Sequence, residues 1–362
     1  MKKGVLLILA MILVLSFCAC GSQPAAPTQE TTESTEPVAE EIDYSQYMCP
    51  WTEDVVAKAK ADGKMHYYFM AGEGIHISLE QQNVDKWGDS CLIVFPDGQT
   101  MLVDSGPTNY GPVLVRNLQQ MGIKHLDYML VSHPHSDHQH GVFLEENIEN
   151  GVLGLIGIGK VFYRGSPAST KEGDNLVEQV CTARNIPLEI IEKGDVIQFG
   201  EVTMEVLWPM EGTSQYIVSS GEINDKSIVV RFDYKEHSSL FAGDLYVAGE
   251  EFMMKMIDDT KLDVDFLKVP HHGHPTSSST PFLTAVSPEL AVAMGRVPIT
   301  KNLRNLYEAL GIDLRYDLID GYIYVSADAN GVLSYEKTRD NSPTENLNTP
   351  SASLLPPDGT AG

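Results

Sequence analysis

Basic residues are scarce in this chain. Its 362 residues include 25 Lys and Arg against 50 Asp and Glu, which gives a formal net charge of -25. Proteins that bind nucleic acid regardless of its sequence need basic surface to displace counterions from the phosphates. The shortage of positive charge therefore argues against non-specific nucleic-acid binding, although metal ions in a cleft would supply positive charge locally.

Several catalytic motifs are missing as well. The chain has no Gly-x-Ser-x-Gly elbow that would expose a serine nucleophile, and no Gly-rich loop of the kind that binds nucleotide phosphates. Its five cysteines include no Cys-x-x-Cys pair, so nothing indicates a thiolate metal site. Cys91 lies in an apolar strand pattern typical of a buried thiol, and a disulfide between Cys49 and Cys181 is permitted outside the cell.

The N-terminal segment has the pattern of a bacterial export signal. Basic residues at positions 2 and 3 precede an apolar run over residues 5–17, which is too short for a comfortable membrane span. The run leads into Ala19-Cys20-Gly21, which resembles a lipoprotein processing site with the lipid on Cys20. The alternatives are secretion with cleavage near Ala19 and an uncleaved anchor. We expect a protein that is lipid-anchored on the extracellular face of the cell membrane.

Composition divides the chain into four parts. After the signal peptide, residues 1–20, comes a stretch rich in Thr, Glu and Pro over residues 21–45, which is typical of a flexible tether. Residues 339–362 are similarly polar and are expected to be disordered. Residues 46–338 alternate hairpin-forming strands with amphipathic helices. This pattern predicts one domain of layered α/β packing, in which helices cover sheets.

Three local expectations concern single elements. A helix is predicted over residues 53–61, and a strand over residues 75–78. Residues 234–237 are predicted to form a hairpin tip between two strands. We therefore expect His237 to be exposed to solvent.

The segment 132–138 carries three imidazoles and a carboxylate. It reads Ser-His-Pro-His-Ser-Asp-His and directly follows an apolar run that is typical of a buried strand. Neutral imidazole and carboxylate are ligands for zinc and similar divalent ions. The alternation places His133 and His135 on one side and leaves Asp137 and His138 to reach another centre. The motif therefore indicates a site for two metals.

Three more apolar strands end in potential ligands. One ends at Asp104, another leads to Asp244, and a third runs into the pair His271-His272. Each end alone is a weak signal, because strands often end in polar residues. Four such ends in one chain are expected to meet at one edge of a sandwich of sheets and to form a single centre.

Three short segments extend this pattern: Gly88-Asp89-Ser90, Asn224-Asp225-Lys226-Ser227, and Val269-Pro270-His271-His272-Gly273 with serines at 277–279. Together with the metal motif, they resemble the metallo-β-lactamase superfamily over residues 65–338. They are similar, more narrowly, to the hydrolase domain of ComEC-type competence proteins and to phosphorylcholine esterases of teichoic acids. The resemblance implies an αββα fold, in which two mixed β-sheets pack face to face with helices on the outer faces.

The resemblance implies a role for each ligand. His133 and His135 would bind the first metal, Asp137 and His138 would bind the second, and Asp244 would bridge both. Asp137 and Asp244 would then be the catalytic carboxylates. Zinc is the expected ion and manganese its rival, because the ligands are nitrogen and oxygen without thiolate.

Other residues would support this centre. His271, His272 or both would complete the ligand shells, and Asp104 would fix a ligand loop through hydrogen bonds. Many members of the superfamily carry a His before the strand that leads to the bridging Asp, but residues 221–225 contain none. Asn224 in that stretch is either a weak ligand, a substrate contact or a turn residue. His274 and Ser277 are further candidates for contact with the substrate.

The chemistry that follows is metal-assisted hydrolysis. Two metals that share a water lower its pKa from 15.7 to about 7, so a metal-bridging hydroxide is the nucleophile. The fold alone does not choose among the esters, lactones, β-lactams and phosphodiesters that the superfamily cleaves. The ComEC-like segments favour a phosphodiesterase acting on teichoic-acid head groups such as phosphorylcholine, on nucleotides or on nucleic acid. The alternatives are a hydrolase of carboxylic esters, lactones or β-lactams, and a non-catalytic binding lipoprotein.

Overall fold

Within the residues that the structure describes, fifteen strands build two β-sheets. The structure is a computed structural model, and it describes residues 51, 53–70, 88–108, 110–144, 148, 152–165, 175–212, 219–295 and 299–338. In chain order the strands are β1 (Met65–Phe69), β2 (Cys91–Val94), β3 (Thr100–Val103), β4 (His125–Val131), β5 (Gly157–Tyr163), β6 (Leu188–Ile190), β7 (Val196–Phe199), β8 (Val202–Trp208), β9 (Val229–Tyr234), β10 (His237–Phe241), β11 (Phe266–Lys268), β12 (Leu290–Ala293), β13 (Asp313–Tyr316), β14 (Ile323–Ala327) and β15 (Leu333–Lys337).

Both sheets combine antiparallel hairpins with parallel strands. The first has the order β15-β14-β1-β2-β3-β4-β5-β6 and is parallel from β3 to β6. The second has the order β13-β12-β11-β10-β9-β8-β7 and is parallel from β10 to β13. Parallel neighbours run in the same direction, so the carboxyl ends of β3, β4 and β5 share one edge. The ends of β10, β11 and β12 share an edge in the same way.

Helices make most of the crossovers between parallel strands, which a short turn cannot span. Three helices of the domain begin at a hydroxyl cap. Ser219, Ser279 and Thr300 each accept a hydrogen bond from the backbone N–H three residues later. The helices are α1 (Glu53–Val56), α2 (Tyr110–Gln120), α3 (Ser136–Phe143), α4 (Val152–Leu155), α5 (Leu176–Arg184), α6 (Ser220–Asp225), α7 (Val247–Met254), α8 (Thr280–Val286), α9 (Lys301–Ala309) and α10 (Asp317–Asp320). Among the helices described, none is long and apolar enough to cross a membrane.

Three apolar layers hold the sheets and helices together. The middle layer lies between the sheets and contains Phe69, Phe162 and Phe232. A second layer joins the first sheet to α2, α3 and α5, and a third joins the second sheet to α7, α8 and α9. Alternate residues of the strands enter different layers, because successive side chains point to opposite faces. The expected αββα sandwich of two mixed sheets is confirmed.

Two local predictions differ from the structure, namely the length of the first helix and the exposure of His237. A third, the strand over residues 75–78, lies outside the described residues. The helix predicted over residues 53–61 ends at Val56, where the backbone bonds tighten to a three-residue spacing that continues through Ala59. The segment buries little beyond Val55, so packing does not extend the helix. The strand predicted over residues 75–78 and the cysteine Cys49 lie outside the described residues. Cys91 and Cys181 are buried free thiols.

The predicted exposure of His237 is wrong. The hairpin tip is only two residues long, Lys235 and Glu236, so His237 is already the first residue of β10 and is 1% exposed. Its Nε2 lies 2.9 Å from Tyr67 Oη, and its Nδ1 lies 3.3 Å from Asp265 Oδ2. The ring therefore joins β1 of the first sheet to the second sheet, at the end of β10 opposite to Asp244.

We expect His237→Ala to destabilise the fold. The substitution removes the hydrogen bond to the Tyr67 hydroxyl, which keeps Ser239 as a partner, and leaves a cavity where the buried ring was, so we expect a loss of about 1–3 kcal/mol. Urea unfolding followed by circular dichroism measures the change in the free energy of unfolding. Glu236→Ala, at the exposed tip next to it, is the control and should stay within about 0.5 kcal/mol of the wild type. Equal stability of the two variants would contradict the role assigned to His237.

Candidate metal centre

The candidate metal centre lies where strands of both sheets end. Asp104 directly follows β3, and the histidine-rich segment follows β4. From the second sheet, Asp244 follows β10, and His271 and His272 lie in a short turn after β11. Residues at the carboxyl ends of neighbouring parallel strands meet at one edge, which is where α/β proteins commonly bind ligands. The expected convergence of four strand ends is what the structure shows.

One carboxylate oxygen is the hub of this cluster. Asp244 Oδ2 lies 3.2 Å from His138 Nε2 and 3.4 Å from His272 Nε2. It lies 3.7 Å from His133 Nε2 and 3.9 Å from His271 Nε2. Four imidazole nitrogens thus face the same atom, the arrangement expected around a carboxylate that bridges metal ions.

His135 and Asp137 flank the hub on two sides. His135 Nδ1 is 3.0 Å from His133 Nε2, and Asp137 Oδ2 is 3.6 Å from His272 Nε2. The potential ligand atoms form two groups, and both groups contain Asp244. They are His133, His135 and Asp244 on one side, and Asp89, His138, Asp244 and His272 on the other.

The donor set fits divalent metals. His138 Nε2 and Asp244 Oδ1 are buried, and neither has a hydrogen-bond partner in the part of the chain that the structure describes. A buried polar atom without a partner costs about 1–3 kcal/mol, and such atoms in native proteins need an explanation. A metal ion bound between imidazole nitrogens and carboxylate oxygens would satisfy both atoms. These ligand types suit zinc or manganese.

The opposite edges of the imidazole rings are held by hydrogen bonds. His138 Nδ1 donates to Asp104 Oδ2 over 2.8 Å. His133 Nδ1 is 3.0 Å from Ser132 Oγ, which in turn donates to Asp104 Oδ2 over 2.7 Å. Anchoring of Nδ1 directs the lone pair of Nε2 into the centre and sets the tautomer. Asp104 therefore orients two of the candidate ligands.

Asp89 performs the same task for His272, although the sequence pattern did not single it out as a site residue. His272 Nδ1 donates to Asp89 Oδ1 over 3.1 Å, and the other oxygen of Asp89 is paired with the buried Lys268. Although Asp89 belongs to one of the two ligand groups, both of its oxygens are engaged on the far side of the ring. We therefore assign it to orienting His272. The segment Gly88-Asp89-Ser90 could have pointed to Asp89. It precedes a strand, however, whereas the other candidate ligands follow the ends of strands.

His271 belongs to a second cluster at the rim of the centre. Its Nδ1 is 2.5 Å from Thr276 Oγ1, and its ring lies 4.7 Å from the ring of Tyr246. Asn224 is buried, and its backbone oxygen accepts a hydrogen bond from Ser227 N–H over 2.9 Å. His274 also contacts the ring of His271.

Ser277 is buried and donates to the backbone oxygen of Leu245 over 2.6 Å. It therefore ties the loop after Asp244 to the loop after His272. This contact favours a positioning role for Ser277 over contact with the substrate.

Backbone strain accompanies the site. Asp104, His271 and His272 have positive φ angles of 57°, 45° and 56°. Residues other than glycine pay a cost for this left-handed conformation, and such residues cluster at functional sites. These angles are consistent with loops whose backbone conformation is set by the side chains that they present to the centre.

Charge is balanced tightly inside the centre. Burial lowers the pKa of His138, but the carboxylates of Asp244 and Asp104 outweigh it and raise that pKa to about 10. For His272, burial is similarly outweighed by Asp244 and Asp137, and its pKa rises to about 9. Burial would raise the pKa of Asp244, but the two imidazoles hold it well below its usual value. Burial lowers the pKa of His133 well below 6.5, with a further contribution from His138.

We expect metal binding to release protons. At pH 7.5 the raised pKa values keep His138 and His272 protonated in the metal-free protein, whereas metal ligation requires neutral imidazole. Zinc titration at this pH should therefore release at least about two protons per chain. The release from these imidazoles should vanish as the pH rises through their pKa values. Calorimetry in two buffers of different ionisation enthalpy measures it.

Asp104→Asn is the matched variant for this experiment. It removes one of the carboxylates that raise the pKa of His138, so the release at pH 7.5 should be smaller. A wild-type release below about one proton would contradict the protonated states of His138 and His272.

Two mixed sheets between helices, with this His and Asp centre at their shared edge, define a metal-dependent hydrolase. The comparison with protein families agrees: residues 85–294 match the model described as the metallo-beta-lactamase superfamily, and the chain belongs to that superfamily. Competence protein ComA of Neisseria gonorrhoeae is 28% identical over 268 residues, which are 72% of this chain and 32% of the relative. ComE operon protein 3 of Bacillus subtilis (strain 168) is 27% identical over 182 residues, which are 50% of this chain and 21% of the relative.

The resemblance to the ComEC-like branch is thus confirmed, and the chain spans only about a fifth to a third of the length of these relatives. Solved structures with a similar fold include the metallo-beta-lactamase fold protein YhfI from Bacillus subtilis. It is 12% identical, covers 76% of this chain and 100% of its own, and has a TM-score of 0.43. A diphosphatase from the PhnP family is 15% identical, covers 76% of this chain and 98% of its own, and has a TM-score of 0.42.

Proposed function

We propose that this metal-dependent hydrolase is a binuclear phosphodiesterase. The observation that carries the proposal is the sharing of Asp244 by two groups of ligand atoms. Two ions that share one carboxylate would be able to act on the same substrate. Bound metals would supply Lewis acidity and an activated water, which is the chemistry that phosphodiester cleavage needs.

The residues of the chain have separate tasks in this proposal. His133 and His135 would hold the first ion, and His138, His272 and Asp137 would hold the second. Asp244 would serve both ions and balance part of their charge. Asp104 and Asp89 fix the orientation of the His138 and His272 rings, since each accepts a hydrogen bond from Nδ1 on the side away from the ligand cluster.

The choice of a phosphodiester rests on the ComEC-like segments and on the match to competence proteins. Teichoic-acid head groups, nucleotides and nucleic acid are the substrates that we consider, and the net charge of -25 argues against tight non-specific binding of nucleic acid. The centre also has the donors to cleave carboxylic esters, lactones and β-lactams. A substrate panel must therefore separate these classes.

Replacement of Asp244 tests the binuclear mechanism. We expect about two divalent metals per wild-type chain, and we expect Asp244→Ala to lose both because each ion depends on this carboxylate. Its rate with bis-(para-nitrophenyl) phosphate should fall by at least ~10²-fold, the scale seen when a key electrostatic group is removed. Elemental analysis and the rate assay, with nitrocefin and lactones alongside, make the measurement.

Asp233→Ala is the control for this experiment, because Asp233 is a half-exposed carboxylate on β9 of the same sheet. It should keep both metals and the full rate. Wild-type activity on nitrocefin or lactones without phosphodiester activity would refute the phosphodiesterase. Fewer than about one metal per chain after addition of zinc or manganese would refute the binuclear centre and favour a non-catalytic binding protein.

The same proposal places the protein on the outer face of the cell membrane, anchored by lipid at Cys20. The support is the sequence pattern of the N-terminus, and Cys20 lies outside the residues that the structure describes. A cell-envelope substrate would be within reach of such an anchor. The tether of residues 21–45 would separate the hydrolase domain from the membrane surface.

We expect Cys20→Ala to abolish incorporation of labelled lipid and to move the protein out of the membrane fraction or block its maturation. Cys18→Ala is the matched control, because Phe17 before Cys18 fits the processing site poorly, whereas Ala19 before Cys20 fits it well. Fractionation of cells that express each variant, with immunoblotting, makes the comparison. Lipid incorporation that survives in Cys20→Ala would refute this anchor.

A further inference from the structure

A buried arginine, Arg164, follows β5, and among the described residues it has no hydrogen-bond partner. Arg164 is 1% exposed and is among the largest fully buried side chains. Among the residues that the structure describes, nothing accepts a hydrogen bond from its Nε, Nη1 or Nη2 atom. A guanidinium has five N–H donors and keeps its charge, so burial without an anion is strongly unfavourable. A residue in this state calls for an anion as its partner.

The strand register places Arg164 at the edge that carries the site. β4 and β5 are parallel, and their register pairs Val131 with Tyr163. The next residues of the two strands are Ser132 and Arg164. Ser132 belongs to the centre, because its hydroxyl lies between His133 and Asp104. Arg164 thus directly follows β5 as Ser132 directly follows the neighbouring β4.

The alternation of β5 indicates which way Arg164 faces. Phe162 packs in the layer between the two sheets, whereas Tyr163 packs in the layer beneath the helices. Successive side chains of a strand point to opposite faces, so continuation of this alternation one residue past Tyr163 would turn Arg164 to the side of Phe162. That side is the space between the sheets, and the metal centre closes it at this edge.

The charges around Arg164 do not replace a hydrogen-bonded anion. Burial lowers the pKa of Arg164 to about 10, against the charges of Tyr163 and Glu178. Glu178 on α5 acts on Arg164 through its charge but forms no hydrogen bond with it. The carboxylates of the centre, Asp104 and Asp244, are already engaged with imidazoles. A fixed cation therefore remains available beside the first group of ligands.

We propose that Arg164 binds an anionic oxygen of the substrate's phosphate group beside His133. The planar fork of a guanidinium matches phosphate and carboxylate oxygens through two parallel hydrogen bonds. In a chain of net charge -25, whose centre is rich in carboxylates, such a cation also offsets the repulsion of an anionic diester. The identity of the anion as phosphate rests on the proposed function, whereas the anion-binding role rests on Arg164 itself.

Phosphate binding is the direct test. Calorimetry would measure the Kd of inorganic phosphate for the metal-loaded protein, with metal content checked in every sample. Arg164→Gln should weaken binding by at least ~10-fold, because a charged hydrogen-bond donor is lost. Arg164→Lys, which keeps the charge without the fork, should lie between Gln and the wild type. Arg231→Gln is the matched control and should bind as the wild type, since Arg231 is occupied by Asp233 and by two backbone oxygens.

Thermal unfolding provides a second readout that separates binding from a structural role. Arg164→Met keeps the length of the side chain and removes the buried charge, so its Tm should equal or exceed that of the wild type while phosphate binding weakens. A structural arginine would behave in the opposite way. A lower Tm with unchanged phosphate affinity would overturn the proposal.

The outcomes remain distinct from those of the proposed function. If the wild type cleaves no phosphodiester but binds phosphate through Arg164, the proposed function fails and the anion site stands. If Arg164→Gln binds phosphate as tightly as the wild type does, the anion site fails, whatever the substrate panel shows. Acetate is the second probe: an Arg164-dependent preference for acetate over phosphate would identify a carboxylate ligand and overturn the assignment to phosphate.

Discussion

The convergence of four imidazole nitrogens on the carboxylate of Asp244 is the interaction on which the rest of the site depends. Burial of one carboxylate is unfavourable, and burial of several imidazoles is also unfavourable, but their opposite charges stabilise each other. The raised pKa values of His138 and His272 and the lowered pKa of Asp244 are three effects of this one cluster. Divalent metals would replace the protons in the same arrangement.

The sandwich explains why the cluster can form. Asp104 and the histidine-rich segment come from the first sheet, while Asp244, His271 and His272 come from the second. Neither sheet holds a complete set, so the centre exists only when the two pack face to face. The carboxylates on the far sides of the rings, Asp104 and Asp89, then fix each ring and connect its orientation to the packing of the loops.

Much of the fold and of the ligand set could be predicted from the chain. The apolar runs that lead into the ligand segments are the strands β3, β4, β10 and β11, and the family resemblance carried by the motifs implied the αββα sandwich. The errors arose where distant contacts decide. Residues 57–61 have the composition of a helix but little to pack against, and His237 follows a polar turn yet fills a place between the sheets beside Tyr67.

The sequence by itself determined the ligand types and their order along the chain, because short-range spacing controls which side chains a strand end presents. Only the tertiary structure decided which partners those side chains have. Asp89 is separated from His272 by 183 residues and orients it, and Arg164 lies beside Ser132 because β4 and β5 pair in one register. Hydrogen-bond partners and burial depend on contacts between remote segments, and the pattern of a single strand or loop does not contain them.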